Sequence, residues 1–512
     1  MVETNSTSSG GIPVRVIPRR LTLLPLVMIM FFTVSGGAYG LEDLVGYSAP
    51  GMSLLLILLT PLIWSLPTAL MVAELSTAMP VQGGYYARVK KALGPFWGFQ
   101  EGWWSWVTSF VDMAIYPVLF ADYLSTLLVQ QFDIHALENQ WIHWGVTLVV
   151  IWVFAGLNIR GTKNVGDSSN WFGLFILAPF LVMSVLGIVR LIQNPYPVWQ
   201  PFIPEDSTVL GAFGVGMFVV MWNYLGWDGV STVSEEIEDP KRNYPRTLAI
   251  TIPLVTLAYF LPVLGGLAVS RDWQNWTAGY FPEVAAQIGG QWLGAWLAIG
   301  GLVSAVGLFS ALLLSISRLP FVMAEDGYLP KAITKMHPKF DTPWVAIIVC
   351  ATIYSFFTLS AFASLVVVDV IVYSAALMLE FSALIAFRIK YPNMKRPYKI
   401  PGGWFGIILV TIFPLVCVDF GSCQHNPGGR NWCVVSVFGC DCDGSDPVPL
   451  PEKVGEKGSA GCGSADRARR LKEKTYDQKN PFTDRWFRIC RKDNPVRSGS
   501  CKVRWCQCGM KG

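Results

Sequence analysis

Ser35-Gly36-Gly37-Ala38-Tyr39-Gly40 interrupts an apolar run that begins near Leu21, and Asn223-Tyr224-Leu225-Gly226-Trp227-Asp228-Gly229 interrupts another that begins near Gly211. These two stretches decide how the chain is read. A helix facing lipid leaves no backbone group unpaired, so broken helix at membrane depth is tolerated only where it is buried in protein or lines a cavity. One such break in each half points to the substrate site of a carrier built from two inverted repeats.

The surrounding composition supports a membrane reading. The chain has 512 residues, of which 52% are hydrophobic and 14% charged, against about 25% charged in an average soluble protein. The apolar residues form runs of roughly 20, enough to cross a hydrocarbon core of about 30 Å. The net charge of +4 gives no basis for a nucleic-acid partner. Arg19-Arg20 before an apolar run also fits the start of a signal peptide, but the run continues past the glycines to about Gly46 and further spans follow. Candidate spans lie near 22–46, 49–73, 97–127, 141–158, 171–189, 211–234, 247–269, 287–315, 343–361, 364–388 and 403–419. The fold class is therefore an all-α polytopic membrane protein.

Basic residues alternate between the connections. Arg15, Arg19 and Arg20 precede the first span, and Arg88, Lys90, Lys91, Arg160, Lys163, Lys241, Arg242, Arg246, Lys331, Lys335 and Arg388 fall in alternate loops. The opposite loops carry Asp133, Glu138, Glu205, Asp206, Asp272 and Glu283. The positive-inside rule then predicts a cytoplasmic N-terminus in a plasma or cell membrane, with membrane lipid around the bundle. The first five spans run opposite to the next five, as an inverted repeat requires. The expected organisation is a cytoplasmic segment 1–20, a core 21–402 with halves near 21–195 and 210–390, a partial eleventh span 403–419 and a polar tail 420–512.

The tail breaks the pattern. Of 11 Cys, only Cys350 precedes residue 417. A Cys-rich metal or disulfide domain is one reading, although Cys440/Cys442 and Cys506/Cys508 are CxC spacings, a weaker zinc signal than repeated CxxC. A shifted reading frame is the other, because the change is abrupt and falls within a half-finished span.

Several stretches together resemble one family, the amino acid–polyamine–organocation superfamily, in its polyamine-transporter-like or L-type amino acid transporter branch. They are Val34-Ser-Gly-Gly-Ala-Tyr-Gly-Leu-Glu-Asp43, Ala73-Glu-Leu-Ser-Thr-Ala-Met-Pro-Val-Gln-Gly-Gly-Tyr85, Leu93-Gly-Pro-Phe-Trp-Gly-Phe-Gln-Glu-Gly-Trp103, Trp222-Asn-Tyr-Leu-Gly-Trp-Asp-Gly229, Glu235-Glu-Ile-Glu-Asp-Pro-Lys-Arg-Asn-Tyr-Pro-Arg246, Ser317-Arg318 with Ala324-Glu-Asp-Gly-Tyr-Leu-Pro330, and Arg396-Pro-Tyr-Lys-Ile-Pro-Gly402. The resemblance covers about residues 20–416. It implies a leucine-transporter-like fold of two inverted five-helix repeats, normally followed by two more helices. Here the eleventh is interrupted near Asp419 and no twelfth is visible.

The half-helix ends at the breaks expose N–H groups on one side and carbonyls on the other. Their partial charges suit a carboxylate and a cation respectively. Candidate substrate-binding residues are Ser35, Gly36, Gly37, Ala38, Trp222, Asn223, Tyr224, Gly226, Trp227 and Asp228. The alternative for the glycines is helix packing through small residues. An ionisable group inside a span is by default functional. Asp228 is therefore a candidate for pairing a substrate ammonium or carrying a proton, or else it caps the resumed helix. Asp112, Glu42 and Asp43 are further anionic candidates, the last two alternatively solvent-exposed. Trp222, Tyr224 and Trp227 offer faces to an organic cation. Glu74 is expected to anchor a gate with Arg88 or Lys90.

No cofactor is implied. By resemblance the coupling ion is a proton, with sodium or exchange left open. The fifth span has no Lys, and Arg190 lies only at its far end, so the family device of a lysine standing in for sodium is absent. The expected activity is secondary active transport of polyamines or amino acids by alternating access. Alternatives are a neutral amino acid permease or exchanger, a non-transporting nutrient receptor and a non-functional truncated permease. HExxH and GxSxG are absent, which argues against an intramembrane enzyme.

Overall fold

The computed structural model describes residues 22–79, 84–160, 165–228, 237–340, 342–425 and 431–433. All lie in one compact unit, Met1–Asp443. Gly229 and most of the Cys-rich tail fall outside the described residues.

α1 (Leu23–Val34) is apolar almost throughout and stops at Ser35. It stops because Gly37 and Gly40 take φ of 107° and 86°, a region open to glycine and strained for other residues. Helix resumes as α2 (Glu42–Thr60), which bends at Ala49 (φ 63°) just before Pro50. A residue before proline is pushed out of the helical region, so residues 42–48 complete the first span and Pro50 opens the second. A single π turn, Pro61–Ser65, joins α2 to α3 (Leu66–Ala78). Then come α4 (Gly84–Leu93), α5 (Pro95–Phe132), α6 (Gln140–Arg160) and α7 (Val165–Gln193).

The second half repeats the plan. α8 (Val209–Asn223) gives way to a break with Gly226 at φ 95°. It is followed by α9 (Pro240–Leu267), the short α10 (Phe281–Gly289), α11 (Gln291–Ile316), α12 (Arg318–Glu325), α13 (Trp344–Phe357), α14 (Phe362–Lys390) and α15 (Gly403–Ser422).

Among the described residues, seven helices are long and apolar enough to cross a membrane, and four are shorter and apolar. Two of the short ones, α1 and α8, are the half-spans that precede the breaks. The spans expected at 22–46 and 211–234 are thus each divided at the breaks read from the sequence. The eighth begins at Gln291 rather than 287, because Gly290 (φ 92°) separates it from α10. The eleventh passes Asp419 and ends at Ser422, followed by a two-stranded ladder of Cys423–His425 with Asn431–Cys433.

Neighbour relations carry the internal symmetry. α5 packs on α14 as α11 packs on α7; α1 lies on α9 as α2 lies on α8. Likewise α7 meets α9 as α14 meets α3, and α13 meets α5 as α6 meets α11. Exchanging the first five spans with the next five converts each pair into its counterpart. α5–α11 and α6–α13 pair each helix with its own counterpart.

Two contacts show how closely the helices are seated. A Cβ added at Gly187 would lie 2.3 Å from the Gly265 carbonyl oxygen, so the backbones of α7 and α9 touch. At the end of the bundle rich in basic residues, buried Glu74 of α3 accepts Arg388 Nε at 2.5 Å, Arg388 Nη2 at 2.6 Å and the Ile400 N–H at 2.8 Å. Arg396 Nε stands 3.5 Å from the same carboxylate. The expected pairing of Glu74 with Arg88 or Lys90 does not form. The planar fork of Arg388 saturates the carboxylate, Arg88 donates to Ser76 Oγ at 3.4 Å, and Lys90 pairs with Asp326 at 2.7 Å.

Gly187→Leu should cost at least about 1–3 kcal/mol through forced overpacking, read as a lower thermal midpoint in detergent. Gly145→Leu, where an added Cβ meets nothing within 4 Å, should leave the midpoint unchanged. Glu74→Ala strands a half-buried guanidinium and should cost about 3–5 kcal/mol, seen as loss of monodisperse protein on size-exclusion chromatography.

Candidate functional site

The two breaks meet at the centre of the bundle. A Cβ on Gly226 would stand 2.7 Å from the Thr33 carbonyl oxygen, so only glycine permits this approach. Tyr259 of α9 reaches both helix ends: its hydroxyl is 2.8 Å from the Asn223 carbonyl and 3.3 Å from that of Val34. These are carbonyls that the interrupted helices leave without intrahelical partners. Ser304 of α11 donates to the Gly36 carbonyl at 2.6 Å. The Glu42 carboxylate accepts the Gly40 N–H at 2.7 Å.

A cavity of about 240 Å³ opens beside the breaks. Gly36, Gly37, Trp222, Asn223, Gly226 and Asp228 line it from the two broken spans, Asp112 and Tyr116 from α5, Ser304 from α11, and Asp369 and Tyr373 from α14. Trp222 Nε1 and the Tyr116 hydroxyl each donate to Asp112 Oδ1 at 3.3 Å. Tyr373 donates to Asp228 Oδ1 at 3.0 Å. Asp369 is fully buried, and neither carboxylate oxygen has a hydrogen-bond partner. Among the described residues, no Lys, Arg or His lines this cavity. It is an acid-rich, aromatic chamber.

Of the residues expected from sequence, Gly36, Gly37, Trp222, Asn223, Gly226, Asp228 and Asp112 come together here. Others do not. Ser35 is buried and its hydroxyl accepts the Gly37 N–H at 3.3 Å, while Ala38 sits in the apolar core. Tyr224 donates to the Ile57 carbonyl at 3.0 Å and packs on Tyr259, and Trp227 is core, 1% exposed. Glu42 and Asp43 are buried rather than solvated. Glu42 also accepts the Tyr123 hydroxyl, and Asp43 accepts the Ala278 N–H at 2.8 Å. Both stand in the first turn of α2, where a helix N-terminus favours negative charge. Glu74 and Arg88 lie away from the cavity. Asp43 borders a second cavity of about 410 Å³ at the opposite end, with Asp122, His143 and Trp144.

Sequence reasoning missed Asp369, Tyr373, Tyr259 and Ser304. The rule that singled out Asp112, an acid inside a span, applies equally to Asp369 and would have found it. The others carried no such signal, because serines and tyrosines are ordinary in spans.

A family model described as amino acid permease matches residues 26–436. Polyamine transporter RMV1 of Arabidopsis thaliana is 36% identical over 401 residues, covering 78% of this chain and 79% of that protein. Polyamine transporter PUT1 of Oryza sativa subsp. japonica is 33% identical over 411 residues, covering 80% and 75% respectively. The crystal structure of MhsT in complex with L-phenylalanine superposes with a TM-score of 0.57 at 13% identity, over 78% of this chain and 98% of that one. That likeness bears on the fold, and it agrees with the five-plus-five repeat seen in the neighbour relations and with the leucine-transporter-like fold that the resemblance implies. With the family match extending over most of its length, the chain belongs to the amino acid permease family and is a membrane transporter.

Proposed function

We propose that this chain carries polyamines, or closely similar organic cations, by alternating access through the cavity at the two breaks. The observation that carries the reading is the acid lining of that cavity: Asp112, Asp228 and Asp369 border it and, among the described residues, no basic side chain does. A substrate bearing several ammonium groups supplies the missing positive charge. The faces of Tyr116, Trp222 and Tyr373 add cation–π attraction, about 0.5–2 kcal/mol each. Two relatives are named polyamine transporters, in keeping with this chemistry. The proposed orientation has the N-terminus cytoplasmic in a cell membrane, from the distribution of basic loops. The proposed driving ion is the proton, since burial of several carboxylates provides groups able to hold one.

A neutral amino acid is the second reading. It is favoured by Gly36 and Gly37 facing the cavity, where an exposed backbone suits a carboxylate.

Uptake of labelled spermidine in transport-deficient cells separates the two: putrescine should compete strongly and leucine should not. Dominant competition by leucine would favour the second reading. Asp228→Asn and Asp369→Asn should each lower spermidine uptake at least about tenfold, the loss of one desolvated charge pair, with membrane abundance intact. Normal uptake by either variant removes that residue from the site. Gly36→Leu adds a side chain where a Cβ already meets Leu308 Cδ1 at 2.5 Å and Ser304 Oγ at 2.8 Å. It should block spermidine binding; an unchanged binding isotherm would reduce the first break to helix packing.

A further inference from the structure

A second buried ionic cluster lies three turns from the cavity acids. Glu101 precedes Asp112 by 11 residues on α5, and Glu380 follows Asp369 by 11 on α14. Eleven residues are close to three full helical turns, about 16 Å along the axis. Because α5 and α14 pack together, they carry two tiers of carboxylates on facing sides. The lower tier is Glu101, Glu380 and Arg88, exposed by 1%, 3% and 0% respectively.

This tier is short of both charge and hydrogen bonds. Arg88 Nη2 approaches Glu380 Oε2 only to 4.0 Å. Arg88 Nε and Nη2, Glu101 Oε2 and Glu380 Oε2 are all buried with no hydrogen-bond partner. One guanidinium against two carboxylates leaves one negative charge uncompensated. Every element around the pair contributes polar groups: Ser76 from α3, Tyr85 and Arg88 from α4, Ser105 from α5, Tyr244 from α9, Tyr373 from α14, and Asp228 beyond the first part of the sixth span. Arg88 is the cation among these described groups, and none of them supplies a second.

The cluster also has a connection to the cavity. The Ser105 hydroxyl donates to Glu101 Oε1 at 3.0 Å. Ser105 and Tyr85 line the cavity, whereas Glu101 and Glu380 do not. The upper tier therefore faces the cavity directly, and the lower tier joins it through the Ser105 hydroxyl. On the far side, α4 leads from Arg88 to Lys90 and its exposed pair with Asp326.

We infer that Glu101 and Glu380 share the single proton that the carrier moves with its substrate, separate from the carboxylates that hold the amine. The proton enters from water in the cavity by way of Ser105, is held on one or other of the two carboxylates, and leaves to water at the end of the bundle that carries α4. This assignment rests on the proton-coupled reading above.

The test uses the full chain in proteoliposomes, with wild type, Glu101→Gln and Glu380→Gln compared in two assays. One is spermidine accumulation driven by an imposed pH gradient; the other is spermidine exchange at equal pH. The expected result is that each variant retains exchange and loses at least about tenfold of gradient-driven accumulation. Wild-type-like accumulation by both variants, with the same pH dependence, overturns the assignment while leaving proton coupling in place. Gradient-insensitive accumulation by wild type overturns the coupling reading itself. Loss of both assays together with a lowered thermal midpoint, restored by Glu101→Asp and Glu380→Asp without any change in pH dependence, marks a structural role and also overturns the assignment.

Discussion

One hydroxyl group sits where the structure is least able to help itself. Interrupting two helices inside the hydrocarbon strands their terminal carbonyls, and the bilayer has no water to offer them. Tyr259 Oη stands within hydrogen-bonding reach of the Val34 and Asn223 carbonyls, one from each half of the chain. That contact makes α9 the strut on which both breaks hang. At the first break Ser304 also bonds the Gly36 carbonyl and Glu42 the Gly40 amide. Once the backbone is satisfied in this way, an opening can persist among packed helices, and everything that lines it acquires a fixed position.

The charged groups divide according to the work left for them. Glu74 is spent on holding α3 to α14 and to the segment before α15. Glu42 and Asp43 hold the start of α2 to the loop before α10 and to α10 itself. Asp112 accepts from Trp222 and Tyr116, and Asp228 accepts from Tyr373. The Asp369 carboxylate has no hydrogen-bond partner among the described residues. Asp112 and Asp369 thus spend little on holding the fold, and an acid left in a span without a structural task is where recognition of a cationic solute belongs.

The sequence disclosed the elements whose cause is local. Glycine pairs, a proline after Ala49, runs of apolar residues and alternating basic loops each act over a few residues, and the spans follow from them. What it concealed was direction. Trp222 and Trp227 are five residues apart on opposite sides of a break, and nothing local says that one ring faces the cavity while the other enters the core. Glu74 finds Arg388 across 314 residues of chain. That choice over nearby Arg88 depends on how α4 and α14 are seated, which no periodicity encodes. Asp369 differed only in being overlooked, for it stands in an apolar span as plainly as Asp112.

The contact between Gly187 and Gly265 joins α7 of the first half to α9 of the second with no side chain between them. Interlocked side chains act as teeth, and a seam that has them moves in steps of whole rotamers. A seam of bare backbone has none there. It resists compression steeply and lateral displacement only weakly, so it behaves as a bearing between the two halves. Shear of packed helices is one of the ways proteins convert local changes into large ones, and at this point the seam between α7 and α9 has no side-chain teeth to oppose it.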